Sequence, residues 1–144
     1  GTRIYDILVN ETAVSQSQQS DAIPVLYKQW SLSVEINPVS SLSGWKNILQ
    51  VGIGGDGAYG DRTPALFFNA GTRLILRTAS SGNWNYHYQD TEHMVVGEWA
   101  MVDIAQVRRS DSDYNLTLSI GGTQKDQSIN TDARNFNNPK VSCS

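Results

Sequence analysis

Trp30-Ser31-Leu32-Ser33-Val34-Glu35-Ile36-Asn37 is the stretch that decides the fold. Trp30, Leu32, Val34 and Ile36 fall on one side of an extended chain, and Ser31, Ser33, Glu35 and Asn37 on the other. A strand's side chains alternate between faces, so this strict period of two describes a sheet with one buried and one wetted face. Pro38 follows and has no N–H to offer a ladder, so the strand ends there. Tyr114-Asn115-Leu116-Thr117-Leu118-Ser119-Ile120 repeats the pattern, with Tyr114, Leu116, Leu118 and Ile120 inward and Asn115, Thr117 and Ser119 outward. Gly121-Gly122 then supplies the positive-φ residues of a tight hairpin, and a weak, polar return strand is expected over 124–129.

Working outward, further strands are expected at 4–9, 45–53, 65–69, 74–78, 84–89 and 99–107. They are rich in β-branched and aromatic residues and are separated by Gly, Asn, Asp and Ser clusters. In 84–89, Trp84, Tyr86 and Tyr88 share one face, and Asn85, His87 and Gln89 the other. No segment has helical periodicity. Residues 14–21 read as a Ser/Gln-rich loop and 131–139 as an Asn-rich irregular stretch. Many short strands at this spacing mean an antiparallel two-sheet β-sandwich. The 144 residues form one domain, 1–144, with no internal repeat or linker.

The formal net charge is −3, with acids and bases interspersed. No run of Lys or Arg builds a basic face for nucleic acid, and no apolar stretch approaches the ~20 residues that span a bilayer. Cys143 is the only cysteine. It is either a free thiol or half of a disulfide to a partner outside this chain, and its place beside the chain end favours the second. Asn10-Glu11-Thr12 and Asn115-Leu116-Thr117 are N-glycosylation sequons, the second on the outward face of its strand.

Framework residues add a resemblance. They are Trp30-Ser31-Leu32-Ser33-Val34, Trp45-Lys46-Asn47-Ile48-Leu49, Gly60-Asp61-Arg62-Thr63-Pro64-Ala65, and Gly97-Glu98-Trp99 leading to Val102-Asp103-Ile104-Ala105-Gln106. Tyr114 to Gly121 and Phe136-Asn137-Asn138-Pro139-Lys140-Val141 complete the set. In order and spacing, residues 30–143 resemble the concanavalin A-like, laminin-G-like jelly-roll domains of animal extracellular proteins. The resemblance implies a secreted or cell-surface domain set beside cysteine-rich modules, which would give Cys143 a partner. It also implies glycan binding, adhesion or cell-surface recognition, with Ca²⁺ in some members, although no calcium site transfers residue by residue. It further implies a strand past the last matched one. Either 4–9 takes that place, or the sheet has an open edge and the chain is truncated at its C-terminus.

No catalytic constellation is visible, so no enzyme is expected. A glycosidase needs two carboxylates about 5–9 Å apart. Glu35 and Asp103 are each alone on their strands, Glu35 reading as a solvated residue and Asp103 as a hydrogen-bonded one. His87 and His93 with a single distant cysteine give no zinc-type spacing. His87 reads as a surface or cross-strand residue or else a ligand contact, and His93 as plain surface in a turn.

The Gly52-Ile53-Gly54-Gly55-Asp56-Gly57-Ala58-Tyr59-Gly60-Asp61 stretch has no Lys and opens no helix, which excludes a phosphate loop. It is a flexible connection or a ligand loop. Asp56 and Asp61 offer oxygen ligands to a cation, Tyr59 a ring for a sugar, and Arg62 a pairing partner for a nearby acid. Trp30, Trp45 and Trp99 open strands and read as core or sheet-edge packing. Trp84, at a loop exit, is the tryptophan suited to face a ligand.

The expected function is an extracellular recognition module for a glycan or glycoprotein, with Tyr59, Asp61, Arg62, Trp84, Asn85 and His87 as ligand contacts. No cofactor is expected beyond the open question of Ca²⁺. The alternative is an assembly module that packs against neighbouring protein chains, through an open edge, an apolar patch and Cys143.

Overall fold

The computed structural model describes residues 2–9, 12–15, 21–22, 25–38 and 44–143, with side chains over 25–38 and 44–142. Its strands are β1 (Thr2–Val9), β2 (Thr12–Ser15), β3 (Asp21–Ala22), β4 (Val25–Leu26), β5 (Trp30–Ile36), β6 (Lys46–Gly52), β7 (Ala65–Asn69), β8 (Arg73–Ser80), β9 (Asn83–His93), β10 (Ala100–Arg108), β11 (Tyr114–Ile120), β12 (Thr123–Asn130), β13 (Phe136–Asn137) and β14 (Lys140–Cys143). No helix occurs among the described residues.

Two six-stranded antiparallel sheets result, ordered β12-β11-β10-β5-β1-β2 and β3-β14-β6-β7-β8-β9, with a short β13-β4 pair beside them. The strand expected at 4–9 is β1, which pairs antiparallel with both β5 and β2. The return strand expected to be weak is a full partner of β11 across Thr123–Asn130. Gly121 and Gly122 make the turn with φ of 58° and 81°, as a tight hairpin requires. The 131–139 stretch is not wholly irregular, since Phe136 pairs with Leu26 and Asn137 with Val25. Of the loop expected at 14–21, residues 14–15 belong to β2 and 21 to β3, and 16–20 lie outside the described residues.

The core lies between the sheets. Trp30, Leu32, Val34 and Ile36 from β5 meet Leu116 and Leu118 from β11 and Val102 and Ile104 from β10. Leu49, Val51, Leu66, Phe68, Leu74 and Leu76 face them from the second sheet. Ile120 packs partly buried against this cluster, and Tyr114 is half-buried. Two tryptophans depart from expectation. Trp30 is core, but Trp45 and Trp99 are 45% and 41% exposed. Both precede the strands they were expected to open, so neither is held in the alternation that turns Trp30 inward.

β7 and β8 bury residues on both faces. Leu66, Phe68, Leu74 and Leu76 point into the core, whereas Ala65, Phe67 and Ile75 form a separate small apolar cluster.

A buried polar network closes one end of the sandwich. Asn130 and Gln106 are 1% and 4% exposed. Asn130 Nδ2 donates to Gln106 Oε1 at 2.8 Å, and Gln106 Nε2 donates to the Lys28 carbonyl at 2.7 Å. Asn130 Oδ1 accepts from the Ser81 and Asp132 N–H groups at 2.8 and 2.9 Å. The network therefore joins β10 and β12 of one sheet to the β8–β9 turn of the other.

Candidate functional site

The 52–61 stretch leaves β6 and is folded around one carboxylate. Asp61 is 3% exposed, and its oxygens accept N–H bonds from Gly55, Gly57 and Ala58 at 3.1, 3.0 and 2.7 Å. These bonds, that from Ala58 foremost, hold the Asp61 pKa below its ordinary value of 3.8 against the opposing effect of burial. The loop also needs Gly52, because a Cβ there would lie 2.0 Å from the Asp61 carbonyl oxygen. Asp61, expected to reach a ligand or cation, is thus consumed in holding its own loop.

Tyr59 is likewise committed inside the molecule. Its hydroxyl donates to the Asp132 carbonyl at 2.5 Å, and the Arg134 guanidinium lies 4.1 Å from its ring centre.

Arg62 follows the loop, and it gathers the remaining expected contacts. Nη1 donates to Asn85 Oδ1 at 2.8 Å, and Nη2 donates to Asp56 Oδ1 at 3.0 Å. The guanidinium sits 5.1 Å from the Trp84 ring centre and 5.0 Å from that of Phe67. Trp84 and Asn85 are half-buried. His87, exposed, is opposite Arg77 in the β8–β9 register. Arg77 in turn lies 5.2 Å from the Trp45 ring, which tilts against Phe67 at 4.8 Å between centroids. Arginine and aromatic groups thus form a continuous layer over Ala65, Phe67 and Ile75 on the outer face of the second sheet.

Of the six expected contacts, the structure joins Arg62, Trp84 and Asn85 directly, sets His87 in the next register position, and turns Tyr59 and Asp61 to internal partners. Sequence reasoning missed Trp45, Phe67 and Arg77. Phe67 and Arg77 sit in strands buried on both faces, where period-two alternation gives no signal.

The loop does not suit a cation. The Asp61 oxygens already face N–H donors, and the Arg62 guanidinium stands beside Asp56.

A concave feature of about 260 Å³ lies elsewhere, at the far end of β9, and is lined in part by Glu92, His93, Glu98, Trp99 and Lys125. His93, expected in a turn, closes β9. Beside this cavity Val95 and Val96 are 59% and 44% exposed.

On the first sheet, pairing sets Glu35 diagonal to Asp103, since Ser33 faces Asp103 and Glu35 faces Met101. Reading strands singly could not show this. Asp103 accepts the Ser33 hydroxyl at 2.5 Å, and neither carboxylate lines the cavity described above. Asn115 lies half-buried on the outward face of β11, its Oδ1 accepting from Gln127 Nε2. Asn10 and the Cys143 side chain lie outside the described residues.

No protein-family model matches the chain, and no curated protein does. Among solved structures it is similar to the native heptameric SAP-like pentraxin from Limulus polyphemus, with a TM-score of 0.55 and 11% identity. The match covers 97% of this chain and 61% of that one. The chain has a jelly-roll sandwich fold. At this identity the likeness shows the fold alone.

Proposed function

We propose that this jelly roll is an extracellular recognition module that binds a glycan or glycoprotein through the outer face of its second sheet, at Arg62, Trp84, Asn85 and His87. One observation carries the reading: Arg62 is fixed between the Trp84 ring and the Asn85 amide, so aromatic surface and hydrogen-bonding groups converge where the end of the 52–61 loop meets β9. A sugar presents the same pairing, an apolar ring face edged by hydroxyls, and half-buried polar groups select those hydroxyls by leaving bonds unmade for other ligands. The outward sequon at Asn115 supports the secretory setting. Binding of wild type and Trp84→Ala to a glycan array, with and without Ca²⁺, tests the reading. Saccharides retained by wild type and lost in Trp84→Ala are expected, and an array without signal overturns it.

A second reading, an assembly module, is favoured by the exposed Val95, Val96 and Trp99 beside the β9–β10 connection. Light scattering across a concentration series, with and without reductant, tests it. A monomer throughout removes it.

A further inference from the structure

Arg77 has no role in the glycan reading so far. It projects on the outer face between Ala65 of β7 and His87 of β9. No acidic group pairs with it among the described residues, and its Nε is buried without a hydrogen-bond partner. The neighbouring Arg62 also has a buried Nε without a partner. Burial first, and then the Arg62 charge, lower the Arg77 pKa from its ordinary value. The one acid paired with Arg62 among the described residues is Asp56, whose side chain is 74% exposed.

The plain alternative is that both arginines merely roof Ala65, Phe67 and Ile75. A roof needs alkyl length and not charge, and two like charges over one apolar patch repel each other. The buried Nε atoms are out of a ligand's reach, so an oxyanion would be gripped end-on through terminal Nη atoms, and Arg77 commits none of its own to a hydrogen bond among the described residues.

We propose that Arg77, with Arg62, is an anion subsite for the carboxylate or sulfate of an acidic saccharide, with the Trp45 and Trp84 rings beside the sugar. The proposal rests on the glycan reading and narrows its ligand class. The incoming oxyanion supplies the counter-charge that the pair lacks, and it competes with the exposed Asp56 for Arg62.

The test titrates three oligosaccharides of equal length, one neutral, one of uronic acids and one sulfated, at two salt concentrations. Wild type is expected to bind an acidic oligomer at least about tenfold more tightly than the neutral one, with salt weakening the difference. Arg77→Gln should lose about tenfold for the acidic oligomers, and Arg77→Lys should recover part of it. Preference for the uronic arm assigns a carboxylate ligand, and preference for the sulfated arm a sulfate. Equal neutral and acidic binding, lost together in Trp84→Ala, overturns the anion subsite and keeps the glycan reading. No binding in any arm overturns both. Thermal melts check that Arg77→Gln is folded. If it is not, the salt dependence of wild type and the Arg77→Lys titration decide, and a salt-independent preference overturns the proposal.

Discussion

Arg62 Nη1 bonds Asn85 Oδ1 at 2.8 Å, and through it the end of the 52–61 loop is fastened to β9. Asn85→Ala removes that fastening and leaves Asp61 to hold the loop. A loss of about 1 kcal/mol in urea melts is expected for a partly exposed bond to a charged group. Amide exchange over 53–60 should quicken. Unchanged exchange there would show that the Asp61 bonds alone set the loop.

Asp61→Asn should destabilise more, by about 1–3 kcal/mol at neutral pH, because buried N–H donors lose a charged acceptor. Its pH dependence has a definite sign. The folded pKa is depressed below 3.8, so the unfolded chain takes up the proton first as pH falls. The stabilisation is complete above the ordinary carboxylate range and fades as pH drops through the folded value. The gap between wild type and Asp61→Asn should therefore be full at about pH 7 and shrink below about pH 4. Melts at a series of pH values measure it, and a constant gap would show that the carboxylate is not held charged.

Leu118→Ala should cost about 2–5 kcal/mol, as cavity-forming changes do, because Leu118 is wholly buried. Ser119→Ala, on the other face of β11, should fall within about 0.5 kcal/mol. Equal shifts in a urea melt would contradict the facing of β11.

Asn115 should carry a glycan when the protein is made in a eukaryotic secretory pathway, since it lies on the outward face of β11. Intact mass before and after glycosidase treatment, in wild type and Asn115→Gln, measures this. Sites at Asn10 and Asn115 are separated by the variant.

The diagonal pair Glu35 and Asp103 should not act as a glycosidase, because it lies on a sheet face with Asp103 tied to Ser33. Turnover of β-glucans and chitin is expected at background, unchanged in Glu35→Gln. Activity lost in that variant would refute the binding-module reading.

The strands most legible in the sequence were those with one wetted face. β5 and β11 alternate because solvent takes every second residue. β7 and β8 were placed by composition alone, since apolar and guanidinium groups cover their outer face, and that covering hid Arg77 and Phe67. The loop was legible as glycine-rich, but the role of Asp61 depended on which N–H groups the turn aimed inward. Arg62, Trp84 and Asn85 were named as contacts, yet their joining needed the β8–β9 register, which local pattern does not set.

The buried Asn130 also acts as a proofreader of strand register. A slip of β12 by one residue along β11 would deliver Ile129 to the slot between Gln106 and the β8–β9 turn. Gln106 Oε1 and the Ser81 N–H group would then lose the partner they share. An all-apolar seam would tolerate such sliding far better, because hydrophobic contact has no direction, whereas unmet buried hydrogen bonds penalise every near-miss alignment. The terminal hairpin, whose outer strand is the most polar of its sheet, thus carries its own check on correct assembly at the point where apolar patterning is weakest.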